Sequence, residues 1–592
     1  QSISQLQRLG STCVVESLDW DTGQIVMSIL PMKNDSVDRF RLPSFSNYKR
    51  GHKINFATLE ESPSDYVAYR VATRLEKVNN SSIYRWFDPL SPRIPEQSRL
   101  SQKEEEVISQ TLLDIRFENG FRLSNDQRNA VISGLDTTVQ LLQGPPGTGK
   151  TQTTAVAALM RIYRELSNGD VVLVVGNTHT SVDNLLYRIE RLRESFKGAL
   201  EQNGLTSPSI CIAKVDSNDP KKPLEPPILN ILANSCTRQV NQLRKEAVLI
   251  IGGTTSAILK MTSKLDGTAK FRNGFLTKLL IVDEASMMVF PSFLALASIL
   301  SESGKVMLSG DNRQLSPILA HDWEREDRPP VVLYQPFFSA YDSIDALTRF
   351  RAVTETSVRR SALTYTYRLP PVVRSLIAKL YEQDEIVLQG PDKQTVDENI
   401  NEQDALAIMW GGLGLFLVVH DERESRKRNP VEAKIIKMIM QAVGSIDDDS
   451  VAVITPHRAQ RTLLKEELAP FEKQVPIIDT VERLQGDQRQ TIIISATASD
   501  PIAIAASVEF ILDLNRSNVA FSRVQNRLIV VCSETLLTHI APDIENYESA
   551  VLWKSLRKIC SREEASFSVA GNKATVFVPD KKYLATLKSK TT

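Results

Sequence analysis

One stretch limits the fold of this chain more than any other: Gly144, Pro145, Pro146, Gly147, Thr148, Gly149, Lys150 and Thr151 in unbroken order. An apolar, strand-like run at 139–142 precedes it and a helical run at 152–166 follows. A strand, a glycine-rich loop and a helix in that order turn several backbone N–H groups toward one point, where they can surround phosphate oxygens. Lys150 adds a point charge, Thr151 a hydroxyl able to ligate Mg²⁺, and the helix N-terminus a favourable dipole. Such a loop needs a parallel sheet behind it, which sets the expected class as α/β.

At 592 residues the chain exceeds what one hydrophobic core organises, and the length prior is about three to five domains. Hydrophobic residues at 42% and charged residues at 24% exclude a largely disordered chain. Lysine plus arginine total 71 and aspartate plus glutamate total 71, so no net field draws in a polyanion and any nucleic-acid site must be local. Cys13, Cys211, Cys236, Cys532 and Cys560 form no CxxC pair and keep no zinc spacing with histidine. They read as reduced, buried thiols. No apolar run nears the roughly 20 residues needed to cross a bilayer, so no membrane partner and an intracellular setting are expected, cytoplasmic or, in a eukaryote, nuclear. Residue 1 is Gln and no signal-like pattern follows. The start is therefore expected to be a processing or truncation boundary, with further domains or partner proteins outside these residues.

Short alternating segments around the Asp21-Thr22-Gly23 turn point to a small β-barrel-like module over 1–61. Helical periodicity at 66–78 and 102–117 marks a connector over 62–120. From 121 to 360 apolar strands alternate with helices, as a parallel sheet covered on both faces requires. A proline-rich stretch at about 192–246 reads as an insertion there. A second such alternation occupies 361–560, and 561–592 form a C-terminal extension. The expected architecture is two tandem RecA-like parallel-sheet domains with the β module and helical connector in front.

Strand 279–282 delivers Asp283 and Glu284 at its C-terminal end, where open α/β sheets bind ligands. Asp283 is the candidate Mg²⁺ ligand with Thr151, and Glu284 the candidate for polarising an attacking water. A further strand, 306–309, leads into Gly310-Asp311-Asn312-Arg313-Gln314, which places Gln314 to sense a γ-phosphate. The second alternation carries Tyr367-Arg368, the segment 478–486 and Asn518 to Arg523.

In that order, from Leu123 to about Val531, these motifs resemble superfamily 1 helicases of the 5′-to-3′ branch, typified by the up-frameshift RNA-surveillance helicase and its DNA-acting relatives. The resemblance implies ATP and Mg²⁺ as cofactors, and adenine recognition by Gln127. It implies that Arg368 and Arg523 reach the γ-phosphate across a cleft, and it counts Gly486 among the nucleotide-binding residues. It places single-stranded or partly duplex DNA or RNA across the tops of both lobes, against Asn177, Thr178, Thr180, Thr254, Thr255 and Thr480. Short hydroxyl and amide side chains suit backbone contacts that read no sequence, although such residues also cap helices. The basic cluster Arg423, Arg426, Lys427 and Arg428 fits a strand contact and a solvated loop equally.

The expected activity is an ATP-dependent helicase or translocase. The sequence departs from the family at Asp487-Gln488-Arg489-Gln490, where a glutamate is usual at the place of Gln488, and at Met287 and 524–527. An ATP-gated clamp or remodelling factor with little processive unwinding is therefore the competing expectation.

Overall fold

The computed structural model describes residues 13–19, 24–29, 66–77, 83–118, 120–217, 223–268, 271, 274–317, 337–391, 406–410, 414–443, 447–481, 488–506, 513–539 and 550–589. The chain forms two compact units, residues 1–69 and 70–592. In the first, β1 (Cys13–Asp19) and β2 (Gln24–Ile29) pair antiparallel with a bulge between Val15 and Ser17. The rest of the barrel expected over 1–61 lies outside the described residues.

The second unit holds two sheets. The first contains β3 (Val139–Gln143), β4 (Val171–Gly176), β5 (Ile210–Asp216), β6 (Leu229–Leu232), β7 (Val248–Thr254), β8 (Thr277–Asp283), β9 (Leu300–Gly310) and β10 (Val358–Ala362). Their spatial order is β10-β3-β9-β8-β4-β7-β5-β6, and every pairing is parallel. Strands buried on both faces need no polar alternation, and β4, Val-Val-Leu-Val-Val-Gly, shows why. Val171, Leu173 and Val175 enter one core while Val172 and Val174 enter the core on the opposite face. The first core also takes Ile83, Trp86 and Phe87 from the connector. Residues 192–246 contribute the end of a long helix, β5 and β6, which widen the sheet at its edge.

The second sheet has the order β13-β12-β14-β15-β11-β17-β16. Its strands are β11 (Leu415–His420), β12 (Val451–Ile454), β13 (Ile477–Asp479), β14 (Arg489–Ser495), β15 (Val524–Ser533), β16 (Arg562–Val569) and β17 (Asn572–Val578). The first five pair in parallel, and the β16–β17 hairpin, from the stretch expected as an extension, joins antiparallel beside β11. Leu415 and Leu417 of β11 face one core and Phe416 and Val418 the other. This is the α/β, two-sheet architecture anticipated from the alternating pattern. Among the described residues no helix is long and apolar enough to cross a membrane.

Candidate nucleotide cleft and strand-binding edge

The phosphate loop links β3 to helix α1 (Lys150–Glu165). Two of its glycines, Gly147 and Gly149, have φ of +78°, a region that other residues enter only at a cost. Space excludes side chains as well. A Cβ on Gly147 would stand 2.5 Å from Arg368 Cβ, and one on Gly149 would stand 2.5 Å from Gln127 Nε2. Thr148 closes the loop by donating its hydroxyl to Pro145 O at 2.8 Å, and Gly144 N ties it to Gly310 O of β9 at 3.0 Å. Tyr367 N donates to Gly147 O at 2.9 Å and Thr366 Oγ1 to Pro146 O at 2.8 Å. The polypeptide that leads into the second lobe is thereby fastened to the loop.

A single strand delivers both acids. Asp283 ends β8 and is buried, while Glu284 follows in the left-handed region at φ 53°. Lys150 Nζ lies 3.0 Å from Glu284 Oε2. Burial alone would lower the lysine's pKa, but the charges of Glu284, Asp283 and Asp311 outweigh it and hold the ammonium above its ordinary value. Burial, joined by repulsion from Glu284, holds Asp283 above the usual carboxylate range despite Lys150 and Ser181. Ser181 Oγ donates to Asp283 Oδ2 at 3.0 Å, and the buried Oδ1 has no hydrogen-bond partner. A buried carboxylate oxygen left in this way calls for a cation or a donor. With the Thr151 hydroxyl in the same cleft, the donor set fits a Mg²⁺ ion.

The cleft has a volume of about 750 Å³. The whole stretch from Gly144 to Thr151 lines it, with Asp283, Glu284 and Gln314 from the first lobe and Arg368 and Arg523 facing them. Arg368 Nη1 donates to Ser522 O at 3.2 Å, and its buried Nε has no partner. Burial, and then the neighbouring Arg523 charge, push the Arg368 guanidinium down to about 9. Two like charges held side by side in a cleft form a receptor for an anion.

Sequence expectation and placement differ at several residues. Gln127 is absent from the cleft wall, because both ends of its side chain are engaged. Its Oε1 accepts from Ser124 N at 2.9 Å in a capping box, and its Nε2 donates to Thr148 O at 2.8 Å. Thr178 and Thr180, expected on the strand side, border the same cleft as the phosphate loop. Gly486 lies outside the described residues, whereas Gln488 lines the cleft.

Sequence reasoning did not single out Ser181, Asn184 and Arg188, which also line it. Their spacing of three and four residues on helix α2 (His179–Gln202) puts them on one face. That polar spacing was the available signal. Gln525 and Asn526 join them from the start of β15.

The first sheet divides its C-terminal edge between two tasks. The phosphate loop, Gln314 and the acidic pair follow β3, β9 and β8, which are neighbours, and the threonine-rich loops follow β4 and β7. Asn177 is exposed and Thr178 caps α2, accepting from Ser181 N at 3.1 Å. Thr254 precedes helix α3 (Thr255–Leu265) with no side-chain cap bond, and the buried Thr255 hydroxyl has no partner. The second sheet is used differently. Arg523, Gln525, Asn526 and Gln488 stand at or just before the starts of β15 and β14, whereas Thr480 follows the end of β13 at the opposite edge. Asp479 Oδ1 there accepts from Thr480 N at 2.8 Å and from Arg461 Nη1 at 2.9 Å.

Two parallel-sheet lobes with a phosphate loop on one and paired arginines on the other define a phosphate-loop nucleotide-binding protein whose site is completed across lobes. Models described as AAA domain match residues 127–320 and 347–535. The DNA replication ATP-dependent helicase/nuclease JHS1 of Arabidopsis thaliana is 24% identical over 71% of this chain and 29% of its own length. The probable RNA helicase armi of Drosophila melanogaster is 23% identical over 75% of this chain and 39% of its own. The DNA polymerase alpha-associated DNA helicase A of Schizosaccharomyces pombe is 23% identical over 82% and 76%. The chain is similar to superfamily 1B helicases over both lobes. It spans less than half the length of the first two relatives named.

Proposed function

We propose that this chain is an ATP-driven motor that moves 5′ to 3′ along single-stranded DNA or RNA and separates duplex in its path. One observation carries the reading: Arg368 and Arg523 of the second lobe meet in a cleft whose other wall is the phosphate loop of the first. A guanidinium supplied by a separate lobe stabilises charge developing on the γ-phosphate only when the lobes are together. Turnover then depends on closure, and product release permits reopening.

In this scheme Lys150 and the loop N–H groups bind the phosphates, and Gln314 senses the γ-phosphate. Glu284 orients and deprotonates the attacking water once phosphate oxygens compete for Lys150. Thr151 and Asp283 would hold Mg²⁺, which neutralises phosphate charge when bound. The hydroxyl and amide groups at the two C-terminal edges grip the sugar–phosphate backbone without reading bases. Alternating grip by the two lobes converts the closure cycle into steps.

Gln488 on the cleft wall favours one rival, a clamp whose ATP cycle governs grip without processive unwinding, since a neutral amide there couples less strongly than a charged group. Labelled duplexes bearing 5′ or 3′ overhangs separate the readings. Unwinding from the 5′ overhang alone is expected, and Glu284→Gln should abolish it while ATP binding persists. Unwinding only from 3′ overhangs would reverse the polarity. Strand-stimulated hydrolysis with neither duplex displaced would favour the clamp.

A further inference from the structure

The basic stretch after β11 is sorted by the fold. Its sequence, Asp421-Glu422-Arg423-Glu424-Ser425-Arg426-Lys427-Arg428, mixes both signs, yet the first two acids turn to protein donors. Asp421 Oδ1 accepts from Lys573 N at 2.9 Å. Glu422 accepts from Glu424 N at 2.7 Å, Ser425 N at 3.0 Å, Asn429 Nδ2 at 3.1 Å and Ser499 Oγ at 2.5 Å. A carboxylate with four donors is a scaffold that fixes the loop. Arg423 turns toward Glu534, 3.8 Å away, and Glu424 stays exposed. Arg426, Lys427 and Arg428 are exposed on an open groove of about 500 Å³ that Glu422, Glu424, Pro430 and Val431 also line, with Glu422 already engaged by its four donors. Among the described residues no carboxylate lies within ion-pair distance of Lys427 or Arg428, and Arg426 is steadied by Asp500 at 3.3 Å.

The loop is also carried sideways. β15 separates β11 from β14 in the sheet, yet Ser425 O accepts from Ser499 N at 2.9 Å and Asp500 N at 3.0 Å, beyond the end of β14. Asn429 N donates at 2.7 Å to Gln460 Oε1 of helix α4 (Arg458–Glu467), which follows β12. The loop thus crosses over β15 to the ends of β14 and β12. It sits on the C-terminal edge that carries Thr480, close enough for the Lys427 charge to bear on His457. Arg458, exposed at the start of α4, continues the same run of positive charge.

We propose that Arg426, Lys427 and Arg428, with Arg458, form a phosphate track that extends the second lobe's hold on a single nucleic-acid strand beyond Thr480. This rests on the strand-binding reading above and adds a site to it. With the loop backbone pinned by hydrogen bonds at Glu422, Ser425 and Asn429, only side-chain rotamers need ordering when the three exposed cations meet a phosphodiester backbone, and they read no bases.

The test compares the full chain with the triple variant R426A/K427A/R428A, binding a fluorescein-labelled oligothymidine strand over a range of salt. Affinity should fall roughly tenfold at about 0.1 M salt, and the salt slope should drop by about 2, from about 0.7 per lost contact. The ATPase rate without strand should stay unchanged, and R426K/R428K should keep the parent slope. Arg423→Ala, on the side facing Glu534, should leave the slope alone. If the parent chain binds no strand, the underlying reading fails. If the parent binds and the triple variant keeps its slope, or if Arg423→Ala lowers it equally, the track is overturned and the reading stands.

Discussion

Two buried acids, one in each lobe, are held in contrasting ways. Glu432, fully buried at the start of helix α5 (Pro430–Gln441), takes its side-chain partners from its own lobe. Thr497 N donates to both of its oxygens, at 3.0 and 2.9 Å; Ser495 Oγ donates at 2.5 Å, and His420 Nε2 lies 3.3 Å away. Asp311, equally buried at the end of β9, accepts from Gln314 Nε2 at 2.8 Å and Arg313 N at 3.1 Å, but its shortest bond comes from the other lobe. Tyr381 OH donates to it at 2.6 Å. Asn518 Nδ2, on helix α6 (Leu514–Phe521) just ahead of Arg523, donates to both Tyr381 OH and Arg313 O, at 3.0 and 2.6 Å. The Arg313 guanidinium meets Asp384 at 2.6 Å. Glu432 therefore keeps its partners wherever the second lobe is folded, whereas Asp311 keeps two of its three and has its shortest bond only where the lobes are together. The first network belongs to folding, the second to conformational equilibrium.

The largest consequence falls on Glu432. Glu432→Ala strips partners from Thr497 N, Ser495 and His420 at once, and should destabilise the second lobe by about 3 kcal/mol, since each buried group left unpaired carries its own desolvation cost. Denaturant unfolding measures it. A loss under about 1 kcal/mol would mean that water reaches this network and that the contrast with Asp311 is false.

Tyr381→Phe probes the other side. The bond from Tyr381 to a buried carboxylate exists only between apposed lobes, so unfolding of the second lobe should change by no more than the lost bond from Asn518, under about 1 kcal/mol, while strand-stimulated turnover falls about tenfold, the equivalent of about 1.4 kcal/mol. Equal losses of stability and turnover would erase the distinction. The contact also has a pH signature. Burial, opposed by the hydrogen bonds from Tyr381, Gln314 and Arg313 N, pushes Asp311 up to about 6 from 3.8. A raised carboxyl pKa means that the native state holds the proton longer. The group's contribution to stability therefore declines as pH rises from about 4 to about 6, and levels off above that. Asp311→Asn should gain stability relative to the parent across that window and show a constant difference above it. A difference independent of pH would show that Asp311 titrates normally.

How much of this was legible in the chain follows from the same contrast. Features set by local sequence were readable: the phosphate loop between strand and helix, the acids ending β8, and alternating apolar runs that must become parallel strands. Asn429, Glu432, Thr455 and Gln460 are given no work by local sequence, because their roles arise from hydrogen bonds between segments that follow different strands. Asn429 N meets Gln460, for example, and the Thr455 and Thr497 hydroxyls meet at 2.9 Å. Tyr381 and Asp384 carry no pattern at all. A helix-ending Tyr and an acid three residues on acquire meaning only when a second lobe arrives. The β16–β17 hairpin escaped for a related reason, since it is added at the sheet's edge through β17, whose partner β11 lies more than 150 residues earlier.

Gln127 offers the smallest effect and the finest test of what a lobe holds within itself. The family resemblance gives it the adenine edge, yet its oxygen caps Ser124 N and its nitrogen braces Thr148 O, both inside the first lobe. A brace of this kind acts on the loop and so on phosphates, which ATP and GTP share; a base reader acts on the ring that distinguishes them. Gln127→Ala removes one neutral hydrogen bond to the loop and one cap, together about 1 kcal/mol in loop order. If Gln127 is a brace, the Michaelis constant should rise about fivefold for ATP and GTP alike. A rise for ATP alone, with GTP unchanged, would show that the side chain leaves Thr148 for the base when nucleotide arrives, and that the intralobe bond is as conditional as the one between Asp311 and Tyr381.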